Sequence, residues 1–279
     1  MNDVNAAPAP LISIVTPVYN GSRYIEELIL SVRGQTLQDF EHIVIDDGST
    51  DDGATVGILS RFPHLRWWTR PNKGQYETLN EGIAAARGKL VCIVSADDVL
   101  HSAEVFTKVA EAWAGEPGLD ALYGRTELMD KHGAAVQGQA GRPDESYPRR
   151  INFYFLLIHH CSMFVRREFL AAHRISFDGS LRYTGDWDWV IRILKLGRTR
   201  FIDLPVSRYR VHEQQTRQTS QRAALTAEDR IVLRRHGSSY LFHRILINYF
   251  RVQKAACVLL REGPQSLLKD TRRFLARRS

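Results

Sequence analysis

Long apolar runs and cysteines are both scarce in this chain of 279 residues. No apolar stretch reaches the ~20 residues that a transmembrane helix needs, so the sequence predicts no membrane-spanning segment. The three cysteines, Cys92, Cys161 and Cys257, are far apart and lack the paired spacing of a zinc site. We therefore expect buried free thiols in a reducing compartment.

Two kinds of motif are also missing. The first ten residues, MNDVNAAPAP, contain neither the basic nor the apolar region of a secretory signal. We expect a disordered N-terminus over residues 1–10 and a cytoplasmic protein. No G-x-G-x-x-G follows a predicted strand, which excludes a dinucleotide-binding fingerprint, and the short Gly-Ser and Lys-Gly pairs do not form a Walker loop.

Acidic residues are scarce only toward the C-terminal end, and this makes the net charge of +7 uneven. Residues 217–279 contain fourteen basic and four acidic side chains, a net charge of +10, so residues 1–216 carry a net −3. The distribution argues against nucleic-acid binding by the main body of the protein.

The basic C-terminal segment has a helical pattern, and residues 240–262 are apolar on one wide face. Two interpretations stay open. In the first, the helices lie on an anionic membrane surface, which makes the protein peripheral on the inner face of the membrane. In the second, they pack on the main domain or on a second subunit of a homodimer.

Apolar runs of strand length alternate with helical patterns along the first half of the chain. Strands are predicted at 11–19, 40–50, 64–70, 89–98 and from 119, and helices at 22–35, 49–62, 74–88 and 102–115. Such alternation predicts an α/β fold with a mainly parallel sheet flanked by helices. Because ligands bind at the carboxyl ends of such strands, we expect three polar clusters, at 17–20, 46–49 and 97–98, to meet at one edge.

Four segments carry a resemblance to a known family. They are SIVTPVYNGSRYIEELILSVRGQT, FEHIVIDDGSTD, NKGQYETLNEGIAAARGKLVCIVSADDVL, and RYTGDWDWVIRILKLG followed by SRYRVH. In this order and spacing they resemble the family-2 glycosyltransferases, which are inverting enzymes of the GT-A fold with a Rossmann-like sheet. The resemblance covers roughly residues 11–215, so it implies a GT-A domain at 11–216 and a helical extension at 217–279.

The resemblance implies transfer of a sugar from a nucleotide-sugar to a hydroxyl of a saccharide or lipid-linked acceptor, in cell-envelope or exopolysaccharide synthesis. Because UDP-sugars are the usual donors of the family, it implies a UDP-sugar here. In it the second acid of DDGS, Asp47, accepts the uracil N3–H, and Tyr19 lines the base. Lys73 reaches a phosphate or the base, or is an ordinary solvated loop lysine. The implied nucleotide-binding residues are Pro17, Tyr19, Asn20, Asp47, Lys73, Gly74 and Asp97.

The adjacent acids Asp97 and Asp98 take the place of the family's DXD motif, with Ala96 where many members have the first Asp. By resemblance Asp97 meets the ribose, and Asp98 binds a divalent metal, Mn²⁺ or Mg²⁺, with His212 as a second candidate ligand. Hard divalent cations prefer carboxylate oxygens. The alternative is that Asp98 or Ser102 only caps the following helix.

The general base implied by the resemblance is Asp186, which follows Gly185, where many members have Glu. Asp188 is the competing candidate, and either acid also complements the dipole of the helix that begins there. Trp187 stacks on a sugar or packs the helix. Two further candidates are Arg210, near the diphosphate, and His160, on the acceptor side or simply buried.

Two other functions stay open from the sequence. A sugar-1-phosphate nucleotidyltransferase has a similar sheet, but it usually needs a glycine-rich, arginine-containing loop after the first strand. Here that position holds PVYNGSRY. A non-catalytic nucleotide-sugar binding module would be indicated by loss of Asp98 or Asp186, and both are present.

Overall fold

The computed structural model describes residues 8–140, 158–212, 222–238, 241 and 245. The strands are β1 (Ile12–Val18), β2 (Phe40–Asp46), β3 (Arg66–Thr69), β4 (Leu90–Ile93), β5 (Val99–Leu100), β6 (Ala121–Met129), β7 (Ala135–Ala140), β8 (Met163–Arg166) and β9 (Thr199–Arg210). The helices are α1 (Ile25–Arg33), α2 (Ala54–Leu59), α3 (Gln75–Ala85), α4 (Val105–Ala114), α5 (Arg167–Ala172), α6 (Gly185–Leu196) and α7 (Arg222–Arg235).

The described strands form one sheet in the order β3-β2-β1-β4-β8-β6-β9-β5, and β7 pairs with β6 outside this path. Strands β3, β2, β1 and β4 are parallel neighbours, with helices in the connections between them. The predicted α/β sheet flanked by helices is therefore confirmed. Because β1 lies between β2 and β4, the carboxyl ends of these three strands are adjacent.

The second half of the sheet contains pairings that the alternation of elements did not predict. Strand β8 is antiparallel to both β4 and β6, while β6 and the long strand β9 are parallel. The short strand β5 pairs antiparallel with β9 at Val99 and Arg208. Strand β9 thereby brings its carboxyl end back to the loop that follows β4.

The core lies against the central strands, since every residue of β1 is buried and six of the seven residues of β2 are buried. Continuous apolar runs are typical of parallel strands that are covered on both faces. Cys92 and Cys161 are buried free thiols in the described part of the chain, as predicted, and Cys257 lies outside the described residues.

One histidine is buried inside this sheet. His42 of β2 is 1% exposed, and its Nε2 lies 3.0 Å from the hydroxyl of Thr16. Among the described residues its Nδ1 has no hydrogen-bond partner. Burial, together with the nearby His64, lowers the pKa of His42 from 6.5 to about 3.

The buried imidazole makes folding sensitive to acid. Between pH 6.5 and about 3 the unfolded chain binds a proton that the folded protein does not bind at His42, so stability falls as pH falls. We expect wild type to lose about 1 kcal/mol more than His42→Gln between pH 6 and pH 5, from a slope of at most ~1.4 kcal/mol per pH unit. Urea unfolding at both pH values measures this difference. The exposed His132→Gln is the matched control, and an equal loss in wild type and His42→Gln would contradict the prediction.

The chain divides into two compact units, residues 1–228 and 229–279. The predicted basic amphipathic segment at 240–262 and the rest of the C-terminal end lie outside the described residues, apart from Leu241 and Ile245, and so do residues 1–7 of the N-terminus. Within the part of the chain that is described, no helix is both long enough and apolar enough to cross a membrane.

Candidate active site

The turns after β1 and β2 are bonded to each other at the predicted edge of the sheet. The backbone N–H of Asp47 donates to the carbonyl of Val18 at 2.7 Å, which continues the β1–β2 pairing. Asn20 has a positive φ of 50°, and its side-chain oxygen accepts the N–H of Thr50 at 2.7 Å. Tyr19 stands beside this turn with half of its surface exposed. The structure thus joins the first two predicted clusters and leaves an aromatic ring facing solvent there.

Asp47 is held by the segment that follows β3. Its Oδ1 accepts the N–H of Lys73 at 2.8 Å and forms an ion pair with Arg70, and its Oδ2 accepts the N–H of Gly74 at 3.0 Å. Gly74 has a φ of 91°, a conformation that favours glycine, at the start of α3. The carboxylate therefore fastens the 73–74 turn to β2, and it is 4% exposed.

Arg70 is a site residue that the sequence analysis missed. Besides Asp47, its guanidinium donates to Glu81 at 2.8 Å and to the hydroxyl of Thr78 at 2.8 Å. The available signal was a basic residue at the end of a predicted strand, in TRPNKG. Lys73, in contrast, has a side chain that is 60% exposed, and Pro17 is buried within β1.

The third cluster, Asp97 and Asp98, follows β4, and its two acids differ in environment. Asp98 is 1% exposed; its Oδ1 accepts the N–H of Arg210 at 2.9 Å, and its Oδ2 has no hydrogen-bond partner among the described residues. Burial first, and then the charge of Asp97, raises the pKa of Asp98 well above its usual range. Asp97 has a side chain that is 30% exposed, and its Oδ2 lies 2.9 Å from Nε2 of His212.

Arg210 supports this pair from the protein interior. Its side chain is 1% exposed and lies over the ring of Tyr24, 4.5 Å from the ring centre. The guanidinium donates to the carbonyl of Asp97 at 2.8 Å and to Glu27 at 2.5 Å. The predicted contact with a diphosphate stays a prediction, because in the structure Arg210 faces protein groups and positions the acidic loop.

The two candidate bases on α6 lie in different environments. Asp188 is fully buried and forms an ion pair with Arg192 at 2.9 Å, one helical turn away. The side chain of Asp186 is 16% exposed, and it accepts the N–H of Trp187 at 2.8 Å. Only Asp186 of the two reaches solvent, as a group that exchanges a proton with a bound hydroxyl must. Trp187 is 3% exposed, as expected for helix packing.

The ring of Tyr76 explains why the residue before Asp186 is a glycine, Gly185. The hydroxyl of Tyr76 accepts the N–H of Gly185 at 3.0 Å and that of Asp186 at 3.4 Å. A Cβ at position 185 would lie only 2.6 Å from the Tyr76 ring, which is stacked on Phe177 and has little room to move. The Glu that the family often carries at this position therefore does not fit this site.

The end of β9, which contacts the β4 loop, also lies beside the segment that faces α6, since the rings of Tyr209 and His159 are 5.2 Å apart. Burial, followed by the charges of Asp98, Asp97 and other groups that include Asp186, raises the pKa of Tyr209 well above its usual range. Burial lowers the pKa of His160, and Asp186 and Asp97 oppose this effect. His160 Nδ1 lies 3.8 Å from Asp186, which is longer than a hydrogen bond. The structure thus brings together the predicted acids and the predicted acceptor-side histidine.

A divalent cation is consistent with the acidic loop. Within the described part of the chain no donor reaches the buried Oδ2 of Asp98, and a cation is a partner that would satisfy such an oxygen. Within the described ranges, no group of three or more His, Cys, Asp or Glu residues could hold a metal by itself. Mg²⁺ commonly takes only one or two protein carboxylates together with phosphate oxygens, so the residues present fit a cation shared with a diphosphate.

Comparison with known proteins identifies the family of this chain. The model of the family described as Glycosyl transferase family 2 matches residues 13–173, more than half of the chain. An uncharacterized glycosyltransferase of Rickettsia felis is 31% identical over 214 residues, which are 74% of this chain and 35% of that protein. This chain spans less than half the length of that protein and of two further Rickettsia relatives.

Two solved structures have the same fold. S. aureus TarS 1-349 in complex with UDP-GlcNAc has a TM-score of 0.61 and 21% identity, over 80% of this chain and 66% of that one. Mannosyltransferase PcManGT from Pyrobaculum calidifontis, in complex with GDP-Man and Mn²⁺, has a TM-score of 0.56 and 16% identity, over 93% of this chain and 83% of that one. These similarities confirm the predicted GT-A fold, and the family match shows that the chain belongs to the family-2 glycosyltransferases.

Proposed function

We propose that this protein is an inverting glycosyltransferase that moves a sugar from a nucleotide-sugar, preferentially a UDP-sugar, to a hydroxyl of a saccharide or lipid-linked acceptor. The observation that carries the proposal is that the end of β9 binds the acidic loop after β4 and also lies beside the segment that faces Asp186. The N–H of Arg210 bonds Asp98 at 2.9 Å, the ring of the preceding Tyr209 lies 5.2 Å from that of His159, and the next residue, His160, lies 3.8 Å from Asp186. An acidic pair for the donor and a separate base for the acceptor are what this reaction requires.

The nucleotide would occupy the joined turns after β1 and β2. Tyr19 offers an exposed aromatic face for the base. A carboxylate has about four lone-pair positions, and three donors already occupy Asp47, namely Arg70, Lys73 and Gly74. One position remains for an N–H of the base. The UDP-GlcNAc complex of the TarS structure supports a uridine nucleotide.

The diphosphate would lie at the acidic loop, where Asp98 would hold the divalent metal and Asp97 would meet the ribose. When bound there, a divalent cation supplies positive charge against the charge that develops on the departing diphosphate. The Mn²⁺ in the PcManGT structure supports such a cation. His212 stays a candidate second ligand, although in the structure its Nε2 pairs with Asp97 rather than with Asp98.

The chemical step is a single displacement. Asp186 takes the proton of the acceptor hydroxyl, the hydroxyl oxygen bonds to the anomeric carbon, and the bond from that carbon to the diphosphate breaks with its electron pair on the leaving oxygen. Asp186 is suited to this role because its carboxylate is partly exposed at the first turn of α6, whereas Asp188 is tied to Arg192. The anomeric configuration inverts, since attack occurs opposite the leaving group.

The proposal is tested by the products of donor turnover. In the presence of Mn²⁺ and a panel of UDP-sugars with GDP-mannose, we expect release of the nucleoside diphosphate, slowly to water and faster with an accepted saccharide. Chelation of the metal with EDTA is expected to stop the release. Pyrophosphate as the product would support a nucleotidyltransferase instead, and tight nucleotide binding without turnover would support a non-catalytic binding module.

A further inference from the structure

Helix α7 contributes a carboxylate to the turn that leads into the candidate base. Glu228 accepts the backbone N–H of Arg182 at 2.9 Å through Oε1. Its Oε2 accepts the N–H of Tyr183 at 2.8 Å, and both the N–H and the hydroxyl of Thr184 at 3.1 Å. One side chain thus serves four donors in three consecutive residues, directly before α6 begins at Gly185.

Glu228 holds the residues that precede α6, whereas the Tyr76 hydroxyl accepts the first amides of the helix itself, those of Gly185 and Asp186. The first N–H groups of a helix have no partner within the helix and require an outside acceptor. Thr184 occupies the N-cap position and, in the described part of the chain, makes no side-chain cap bond; its hydroxyl donates to Glu228. Together with the Tyr76 hydroxyl, which accepts the next two N–H groups, Glu228 holds five consecutive amides from 182 to 186.

The held segment determines where Asp186 points. Asp186 is the second residue of α6, and its own carboxylate accepts the N–H of Trp187, so its direction follows the backbone of this first turn. If the 182–184 turn shifts, the carboxylate shifts with it. A displacement of about 1 Å in catalytic geometry lowers rates by up to about 10²-fold.

We propose that Glu228 is a positioning residue, which orients Asp186 toward the acceptor hydroxyl by holding the 182–184 turn. The inference rests on the proposed function, because it needs Asp186 to be the base. Glu228 therefore affects the transfer reaction through Asp186, although it lies beyond the segment that the family model matches.

The test compares Glu228→Gln with Glu168→Gln, a control at a glutamate of α5 whose side chain is 78% exposed. The amide of Gln keeps one acceptor oxygen and places an NH₂ group against backbone donors. We expect Glu228→Gln to lower kcat for transfer by roughly ten- to a hundredfold, with donor KM and nucleotide Kd unchanged. Thr184→Val, which removes only the hydroxyl donor, should lower kcat less, and it serves if Glu228→Gln folds poorly. Rates are divided by the concentration of nucleotide-binding sites, so that unfolded protein does not lower the measured kcat.

A double-mutant cycle separates positioning from general stability. In an Asp186→Asn background there is no base to orient, so adding Glu228→Gln should leave the residual rate unchanged. An equal further loss in that background, or wild-type kcat for both Glu228→Gln and Thr184→Val, would overturn the inference. If Asp186→Asn alone keeps full activity, the base assignment fails instead, and the two failures are thus distinguishable.

Discussion

Asp186→Asn is expected to lower the rate of sugar transfer by about 10³-fold and to leave the nucleotide Kd unchanged, since general base catalysis contributes roughly 10²- to 10⁴-fold. The substitution keeps the size of the side chain and the acceptor oxygen for the Trp187 N–H. It removes only the ability to take a proton. Transfer is measured as release of the nucleoside diphosphate in the presence of acceptor, and binding by calorimetry with the free nucleotide.

The matched control is Asp188→Asn, two residues along the same helix. Asp188 is fully buried and paired with Arg192, so its loss should lower the melting temperature and leave kcat per folded molecule near wild type. The reverse pattern, with transfer lost in Asp188→Asn and kept in Asp186→Asn, would exchange the two roles. If both variants kept the wild-type rate of transfer, neither acid of α6 would be the general base.

The ligand edge of the sheet was predictable because it follows from chain direction. Parallel strands with helices between them place their carboxyl ends together, so clusters at 17–20, 46–49 and 97–98 had to approach each other. The structure confirms the joined turns after β1 and β2. The antiparallel pairings of β8, β7 and β5 were not predictable in the same way, because short strands carry no periodicity that specifies their partners.

Contacts between side chains and backbone amides that are far apart in the chain could not be predicted from the sequence either. Tyr76 is 109 residues from Gly185, and Glu228 is 44 residues from Thr184, yet Tyr76 holds the first turn of α6 and Glu228 holds the turn just before it. A helical pattern indicates which face of a helix is buried, but not which donors a polar side chain will meet. The same limit applies to Arg70, whose two ion pairs depend on the turn that follows β3.

The adjacency of Asp97 and Asp98 gave no indication of how differently they are placed. Asp98 is turned inward by the N–H of Arg210, while Asp97 stays partly exposed beside His212. The long strand β9 produces this difference, because its last residue reaches the β4 loop from another part of the chain. A division of roles between the two acids therefore has a structural basis, although the roles themselves stay a proposal.

Asp98→Asn is expected to lower transfer by at least about 10²-fold, since a cation that stabilises a leaving diphosphate contributes several kcal/mol and each 1.36 kcal/mol changes a rate tenfold. The amide oxygen still accepts the Arg210 N–H, and Oδ2 has no hydrogen bond to lose among the described residues, so the metal-free melting temperature should not fall. Wild type should gain thermal stability when UDP and Mn²⁺ are added together, and Asp98→Asn should lose that gain.

Two further variants test which of the two adjacent acids binds the metal. Asp203→Asn, at an aspartate whose side chain is 77% exposed, is the matched control and should behave as wild type. Asp97→Asn should mainly raise the donor KM, because a ribose contact is made equally in the ground state and the transition state. If Asp97→Asn instead lost the stabilisation by Mn²⁺ while Asp98→Asn kept it, the exposed acid beside His212 would be the metal ligand, and the buried acid would serve only to anchor β9.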